Sequence, residues 1–123
     1  MTATDHAIEL VTTAARAGGE KKGEQIVAFD VSEQLAITDA FLIISASNER
    51  QVGAIVDAVE DALREAGAKP IRREGQRDGR WVLLDYGDIV VHVQHEEERQ
   101  FYALERLWRD CPAIELPEDV TRS

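Results

Sequence analysis

The stretch AFLIISASNERQVGAIVDAVEDALREAG, residues 40–67, joins an apolar run to an amphipathic helix and decides the fold class. Its first six residues are almost all apolar, which is typical of a strand buried on both faces of a sheet. Residues 48–66 repeat apolar side chains every three or four positions, which predicts a helix with one buried face. Asn48 and Gln51 have the form of a capping box, and Gly67 predicts the end of this helix.

Further elements are predicted on both sides of this strand and helix. Before them, an apolar stripe predicts a helix over residues 5–17, and we expect the two glycines that follow to end it. A strand is then predicted over residues 25–29. After them, we expect a strand over residues 69–73, a β-hairpin over residues 81–95 and a helix over residues 97–108. In the last helix, one face is predicted to carry Phe101, Leu104 and Trp108. This order predicts an α/β fold in a single domain, with a mixed, mostly five-stranded sheet flanked by helices.

Composition excludes several classes of protein and partner. The chain has 123 residues, 44% of them hydrophobic, with a net charge of −10 and a sequence pI of about 4.7. So acidic a chain is not expected to bind free nucleic acid as its main partner, whereas a basic protein surface suits it. A lone Cys111 excludes an intrachain disulfide, and neither a leader peptide nor a membrane span is evident, so we expect a soluble cytoplasmic protein.

The hairpin WVLLDYGDIVVHV, residues 81–93, divides into two faces because side chains alternate along a strand. With a two-residue loop, one face is apolar and is expected to meet the core. That face carries Val82, Leu84, Tyr86, Ile89, Val91 and Val93. The opposite face mixes aromatic, acidic and amide groups. It carries Trp81, Leu83, Asp85, Val90, His92 and Gln94.

Two interpretations of the mixed face remain open on the residues alone. Asp85, Asp88 and His92 could hold a divalent ion, although tetrahedral zinc sites usually draw more His and Cys ligands. Alternatively, Trp81 beside polar groups has the composition of an interface hot spot. Nearby arginines form a basic cluster that could touch RNA phosphate or could be a solvated loop. The cluster consists of Arg72, Arg73, Arg77 and Arg80.

Three blocks of the chain resemble the ribosomal silencing factor family, also called the Iojap family. They are ITDAFLIISASNERQ (residues 37–51), GRWVLLDYGDIVVHV (residues 79–93) and EERQFYALERLW (residues 97–108). With the strand QIVAFDV, the resemblance covers most of residues 5–116. The order of the three blocks makes the resemblance specific, since any one of them alone is weak.

The resemblance implies a translation factor that is not an enzyme and needs no cofactor or metal. Such proteins bind the large ribosomal subunit through ribosomal protein fourteen, block joining of the small subunit and repress translation when nutrients are scarce. A homodimer is also compatible with the resemblance, and the fold would be similar to a nucleotidyltransferase core without its catalytic residues. We expect a ribosomal silencing factor domain over residues 1–111 and an acidic, flexible tail over residues 112–123.

Binding residues follow from the resemblance position by position. The hairpin block implies partner contacts by Trp81, Asp85, Tyr86, Asp88 and His92. The last helix block implies that the same surface is framed by Arg99, Tyr102 and Glu105. The alternation of side chains disagrees with the resemblance at one position, because it places Tyr86 on the side that faces the core. The alternative function is a degenerate nucleotidyltransferase or a metal-dependent phosphotransferase that uses the two hairpin acids and His92.

Overall fold

A computed structural model describes residues 2–121 of the chain, with side chains described for residues 2–120; Met1 and the last two residues of the expected tail lie outside this range. Ten elements follow one another along it. They are α1 (Asp5–Glu20), β1 (Glu24–Asp30), β2 (Ala40–Ala46), α2 (Glu49–Glu65), β3 (Arg72–Glu74), β4 (Trp81–Asp85), β5 (Ile89–His95), α3 (Glu96–Tyr102), α4 (Leu104–Leu107) and α5 (Glu118–Thr121). No helix in this range is both long and apolar enough to span a membrane.

The five strands form one mixed sheet in the order β1-β2-β5-β4-β3. The central pair, β2 and β5, is parallel, and every other neighbouring pair is antiparallel. It follows that β3 runs parallel to β2, with two strands between them, so α2 crosses over β5 and β4. This arrangement confirms the predicted single-domain α/β fold with a five-stranded mixed sheet.

Both long helices pack on the same face of the sheet, which we call the closed face. Here α1 and α2 contact each other and also contact β2 and β5. The core between them contains apolar residues from both helices and from alternate positions of the strands. Its largest fully buried side chains are Leu42, Ile44, Ile55, Leu63, Leu84 and Ile89. Burial of these side chains is the main force that holds the helices on the sheet.

The start of α2 is capped as the sequence predicts. The Asn48 side chain accepts from the Gln51 backbone N–H at 2.9 Å. In return, the Gln51 side chain accepts from the N–H of Ser47 at 2.7 Å, one residue earlier than a standard capping box requires. The same side-chain amide donates to the carbonyls of Lys21 and Lys22. One glutamine therefore caps α2 and fastens the loop after α1 to it.

The first helix is longer than predicted, because Gly18 and Gly19 do not end it. α1 continues through both glycines to Glu20. A Cβ atom at Gly18 would lie 2.7 Å from Ile44 Cδ1, so this glycine serves close packing of α1 on β2. Local sequence rules assign such a glycine to a helix end, but here tertiary contact decides its role. The third strand also differs, because it covers Arg72–Glu74 rather than residues 69–73.

The last predicted helix is broken, which corrects the expectation of one helix over residues 97–108. Ala103 adopts a left-handed conformation with φ 45° and ψ 53°, and its N–H donates to the Arg99 carbonyl. This is the αL motif that terminates helices, although alanine rather than glycine occupies it. The predicted apolar face is lost as a result, because Phe101 is 79% exposed while Leu104 is buried.

The segment after Pro112, for which the sequence predicts a flexible acidic tail, contacts the body of the protein. Asp30 donates its backbone N–H to the Pro112 carbonyl, and Ile114 donates to the Ala28 carbonyl. These bonds lie along the outer edge of β1. Further on, the side chains of Leu116 and Val120 join the core of the closed face. Apolar side chains spaced through this acidic segment therefore anchor it on β1 and α1.

Candidate partner-binding surface

The hairpin has the register that alternation predicts. Asp85 pairs with Val90, and Tyr86 donates its backbone N–H to the Ile89 carbonyl, which leaves Gly87 and Asp88 as a two-residue loop. Gly87 adopts a positive φ of 83°, and its N–H donates to Asp85 Oδ1 at 2.8 Å. A two-residue loop with positive φ matches the twist of the strands that it joins. The two predicted faces of the hairpin are therefore confirmed.

Opposite the closed face, the sheet has a face without a long helix, which we call the open face. Short α3 contacts the ends of β5 and β2 there. On this face of β5, Val90, His92 and Gln94 are buried. On the neighbouring strand β4, Trp81 and Leu83 are partly exposed. Exposure of the open-face side chains therefore increases from the central strand β5 to its neighbour β4.

Trp81 is held in place by two aromatic neighbours. Its indole Nε1–H donates to His92 Nδ1 at 3.2 Å, and its ring centroid lies 4.7 Å from that of Tyr102. The hydrogen bond comes from a neighbouring strand and the ring contact from the end of α3. A tryptophan fixed on both sides loses little conformational entropy when it binds, which suits an anchor residue.

His92 is enclosed between the rings of Trp81 and Phe41. Its ring makes an edge contact with Phe41 at a centroid distance of 5.2 Å, and only 6% of the residue is exposed. Burial lowers the pKa of His92 to about 4, because an apolar environment disfavours the imidazolium. The imidazole is therefore neutral at physiological pH. It can accept from Trp81 without repelling a cationic partner.

Arg99 is a buried arginine that fixes the corner between α3 and α4. It is 4% exposed, and its guanidinium donates to Ser45 Oγ at 2.9 Å and to Glu105 Oε2 at 3.2 Å. Burial lowers the pKa of Arg99, and the charge of Glu105 opposes that shift. The ion pair spans the break at Ala103. It holds the end of α3 where Tyr102 can reach the indole of Trp81.

Two adjoining grooves on the open face share Leu83 in their lining. The larger groove, beside Trp81, has a volume of about 660 Å³. Its lining consists of Glu74, Gly75, Asp78, Arg80, Trp81, Leu83, Glu98 and Tyr102. The smaller groove measures about 270 Å³. Its lining consists of Leu35, Ala36, Ile37, Thr38, Phe41, Arg72, Leu83, Asp85, Val90 and His92.

The predicted binding residues divide into an accessible and a buried group. The accessible or partly accessible side chains are those of Trp81, Asp85, Asp88, Tyr102 and Glu105. The buried ones are those of Tyr86, His92 and Arg99. Tyr86 lies on the closed face, as alternation predicts, and burial raises the pKa of its hydroxyl to about 12. The structure therefore brings most of the predicted residues together but leaves only some of them free to touch a partner.

The proposed metal ligands do not converge. Asp85 accepts from the backbone of Gly87, Asp88 lies 3.9 Å from His6, and His92 accepts from the indole of Trp81. Within residues 2–121, no group of three or more His, Cys, Asp or Glu side chains is placed to hold a metal ion. This geometry counts against the alternative of a metal-dependent enzyme at the hairpin.

The basic cluster before β4 is largely neutralised by acids of the same chain. Arg80 forms ion pairs with Glu49, Glu97 and Glu98, and the hydrogen bond that it donates to Glu97 is the main reason that the pKa of Arg80 is raised. The neighbouring strand is similar, because Arg73 pairs with Glu60. Arg80 thereby connects the starts of α2 and α3 to the strand that carries Trp81. Most of this cluster serves the fold rather than a free positive surface.

Cys111, the single cysteine, lies between α4 and the segment that follows β1's outer edge. Its thiol is free and partly buried. Burial raises the pKa of the Cys111 thiol, and the charges of Asp110, Asp30 and Glu33 raise it further. A thiol with a raised pKa stays protonated near neutral pH and is a poor nucleophile. This environment agrees with the interpretation of Cys111 as an inert thiol.

Sequence reasoning missed one wall of the surface. This wall of the smaller groove consists of Phe41 on β2 and of Leu35 and Ile37 in the loop before β2. Ile37 is 86% exposed. The loop carries no periodic pattern, so neither helix nor strand rules predict where it lies. A usable signal was the pair of large apolar residues, Leu35 and Ile37, close together in this connection, since contiguous exposed apolar patches mark interaction sites.

Comparisons with known proteins agree on one family. The family model described as Ribosomal silencing factor during starvation matches residues 4–123. A ribosomal silencing factor of Halalkalibacterium halodurans is 44% identical over 108 residues, which are 88% of this chain and 92% of that protein. The chloroplastic protein Iojap of Zea mays is 31% identical over 118 residues, which are 94% of this chain and 50% of that protein. The crystal structure of a Chromobacterium violaceum protein with 32% sequence identity aligns with this chain at a TM-score of 0.79. The alignment covers 94% of this chain and 97% of that chain. The chain therefore belongs to the ribosomal silencing factor family, whose members are ribosome-associated regulators of translation.

Proposed function

We propose that this protein binds the large ribosomal subunit through ribosomal protein fourteen and uses the open face of its sheet to do so. Bound there, it would block joining of the small subunit and repress translation in the cytoplasm when nutrients are limited. The observation that carries the proposal is Trp81, which is rigidly held and partly exposed on the one sheet face that long helices leave uncovered.

Apolar contacts on the open face would supply most of the binding energy. Trp81 lies beside Tyr102, which is 47% exposed, and Leu83 separates the two grooves. Tryptophan and tyrosine dominate interface hot spots because they bury a large area at low entropic cost. A partner that fills both grooves would cover Leu83 completely. We therefore assign Trp81 as the anchor and its two neighbours as supporting contacts.

Acidic groups around these apolar residues suit a basic partner. Asp85 lines the smaller groove, whereas Glu74, Asp78 and Glu98 line the larger one. Asp88 is exposed at the tip of the hairpin. The whole chain carries a net charge of −10, so a basic protein surface would be attracted over a long range. Such complementarity raises the association rate more than the affinity, and added salt weakens it.

The three buried residues of the predicted site would act by positioning others. His92 orients the indole of Trp81, and Arg99 holds the corner that places Tyr102. Tyr86 packs in the core under the hairpin loop that presents Asp85 and Asp88. Their replacement would weaken binding by disturbing the surface as well as by any contact that they make themselves.

The mechanism that we propose is steric, so it requires no chemical step and no cofactor. A folded domain of 13.7 kDa on the joining surface of the large subunit would occupy space that the small subunit needs. Repression would then follow the fraction of large subunits that are occupied. A homodimer that buries the open face would be a stored form, because the same surface cannot bind a second copy and the ribosome together.

The proposal can be tested with Trp81→Ala and purified large subunits. We expect the variant to bind between about thirtyfold and a thousandfold more weakly than the unmodified protein in co-sedimentation at moderate salt. Ile8→Ala is a matched control, because Ile8 is a partly exposed apolar residue on α1, remote from the open face. It should bind like the unmodified protein.

Undiminished pelleting of Trp81→Ala would exclude the open face as the binding surface. If the unmodified protein fails to pellet with large subunits at all, the proposed function itself is wrong. Analytical ultracentrifugation of the protein alone measures whether it is a monomer or a dimer, and so distinguishes a dimerisation surface from a ribosome-binding surface. A dimer that Trp81→Ala dissociates, without any ribosome binding by either protein, would make the open face a dimerisation surface only.

A further inference from the structure

The imidazole of His92 has one nitrogen that the fold uses and another that it does not. Nδ1 accepts the hydrogen bond from the Trp81 indole, while Nε2 is buried without a hydrogen-bond partner among the described residues. Leaving a buried polar hydrogen unbonded is costly, so most such groups in proteins are satisfied. The second nitrogen therefore needs an explanation beyond the isolated fold.

The protonation of this imidazole follows from its neighbour. An indole N–H can only donate, so His92 Nδ1 must carry a lone pair and cannot carry a hydrogen. In the neutral ring the single hydrogen then lies on Nε2. The fold thus presets one tautomer, with a buried N–H donor that is directed away from Trp81.

The smaller groove of the open face is lined in part by the His92 ring, whose Nε2 atom is itself covered in the free protein, so a partner that enters the groove would have to displace the side chains over it. His92 lines the groove together with the apolar side chains of Leu35, Ile37 and Phe41 on one side and Leu83 and Val90 on the other. Its volume of about 270 Å³ is enough for one side chain with its peptide group. The charged side chains of its lining, Asp85 and Arg72, lie 3.9 Å apart and offset each other, so the groove offers no unbalanced charge to an ionic acceptor. The groove therefore suits an apolar side chain accompanied by a neutral acceptor.

We infer that a backbone carbonyl of the ribosomal protein accepts a hydrogen bond from His92 Nε2 when an adjacent apolar side chain enters the smaller groove. His92 then has two roles, since it orients the Trp81 anchor and also reads the partner's backbone. This inference rests on the proposed function, because it names the group that the same surface recognises. It adds a requirement that Trp81 alone does not impose, namely a peptide carbonyl at a fixed position beside the apolar side chain.

A double-mutant cycle separates the two roles of His92. Trp81→Phe removes the indole donor, and His92→Phe removes both ring nitrogens while keeping an aromatic ring in the apolar site. If His92 acts only by orienting Trp81, adding His92→Phe to Trp81→Phe has no further effect on the dissociation constant for large subunits. We expect a further weakening of between about fivefold and a hundredfold, because the partner's buried carbonyl loses its donor.

His92→Gln is the rescue variant, since its side-chain amide can place an N–H near the position of Nε2. We expect it to recover at least half of the affinity lost in His92→Phe on a logarithmic scale. Equal weakening by both variants would overturn the inference, as would a cycle in which His92→Phe has no effect after Trp81→Phe. Failure of the unmodified protein to bind large subunits would instead overturn the proposed function and leave the tautomer to be tested separately.

Nuclear magnetic resonance of the unmodified protein provides that separate test and does not depend on whether a variant folds. With ¹⁵N-labelled histidine, the His92 ring should show a neutral tautomer with its hydrogen on Nε2. Addition of purified ribosomal protein fourteen should move that hydrogen downfield and slow its exchange with water. A hydrogen on Nδ1, or an Nε2–H signal that does not change in the complex, would contradict the inference.

Discussion

The closed and open faces of the sheet take alternate residues from the same strands, yet they are built from different kinds of side chain. Under α1 and α2, the strands contribute Leu, Ile, Val and Ala almost without exception. On the open face, the same strands bury Ser45, His92 and Gln94 and leave Trp81 partly exposed. Apolar packing on the closed face holds the helices on the sheet. The open face holds polar and aromatic groups in fixed positions, at a cost in folding free energy.

Polar burial on the open face shows this difference most directly. Gln94 is fully buried, and neither of its amide atoms has a hydrogen-bond partner within the described residues. An apolar residue in its place would cost less, because buried unpaired amides are unfavourable. Three experiments test whether the two faces differ in this way.

The largest effect is expected from two neighbouring leucines of β4 that point to opposite faces. Leu84 is fully buried on the closed face, so Leu84→Ala should lower the free energy of unfolding by about 3 kcal/mol. Leu83 is partly exposed on the open face, so Leu83→Ala should cost about 1 kcal/mol while weakening large-subunit binding roughly tenfold. Denaturant unfolding and co-sedimentation measure the two quantities. Equal losses of stability, with equal binding, would remove the distinction between the faces.

A pH-dependent effect is expected from the buried imidazole of the open face. In the folded protein the pKa of His92 is about 4, against 6.5 for an unperturbed histidine. As the pH falls from about 6.5 to about 4, the unfolded chain binds a proton that the folded chain excludes. The free energy of unfolding should therefore decrease over this range, by up to about 3 kcal/mol for this group.

His92→Phe provides the comparison for that experiment, because it removes the titrating group and leaves the carboxylates unchanged. Denaturant unfolding at several pH values should give a shallower decrease for the variant than for the unmodified protein below pH 6.5. Parallel curves for the two proteins would show that this imidazole is not protected from protonation. Above pH 6.5 the group is neutral in both states, so the slopes should agree there.

The smallest effect concerns the C-terminal segment, which extends the closed face rather than the open one. Leu116 is 9% exposed in the core cluster, so we propose that Leu116→Ala lowers the free energy of unfolding by about 2 kcal/mol. Glu115→Ala is the matched control, since Glu115 is exposed and its loss should change stability by no more than about 0.5 kcal/mol. Both variants should bind large subunits normally. Equal stability of the two would favour a loosely held tail after Pro112.

Local sequence patterns predicted most of the helices and strands, but they did not predict which side chains of the candidate surface are exposed. The alternation of side chains along the hairpin predicted that Leu84 and Leu83 lie on opposite faces of the sheet, and Gly87 predicted the two-residue loop. The α2 boundaries followed from Asn48 and the helical repeat. By contrast, the break at Ala103 could not be predicted, because alanine favours helix and no local residue signals a left-handed conformation there. The ion pair between buried Arg99 and partly exposed Glu105 crosses that break, and Arg99 also donates to Ser45 of β2, which is a tertiary contact that no local pattern predicts.

The alternating faces of the hairpin and the helical crossover follow from the amino-acid sequence without knowledge of the fold. Both depend on the spacing of side chains along a short segment, which any folded arrangement must respect. Which residues of the mixed face stay accessible depends instead on the packing of distant elements. His92 and Arg99 became buried because distant elements, Phe41 from β2 and the corner after α3, close over them. Exposure is a property of all the layers together, and no local pattern contains it.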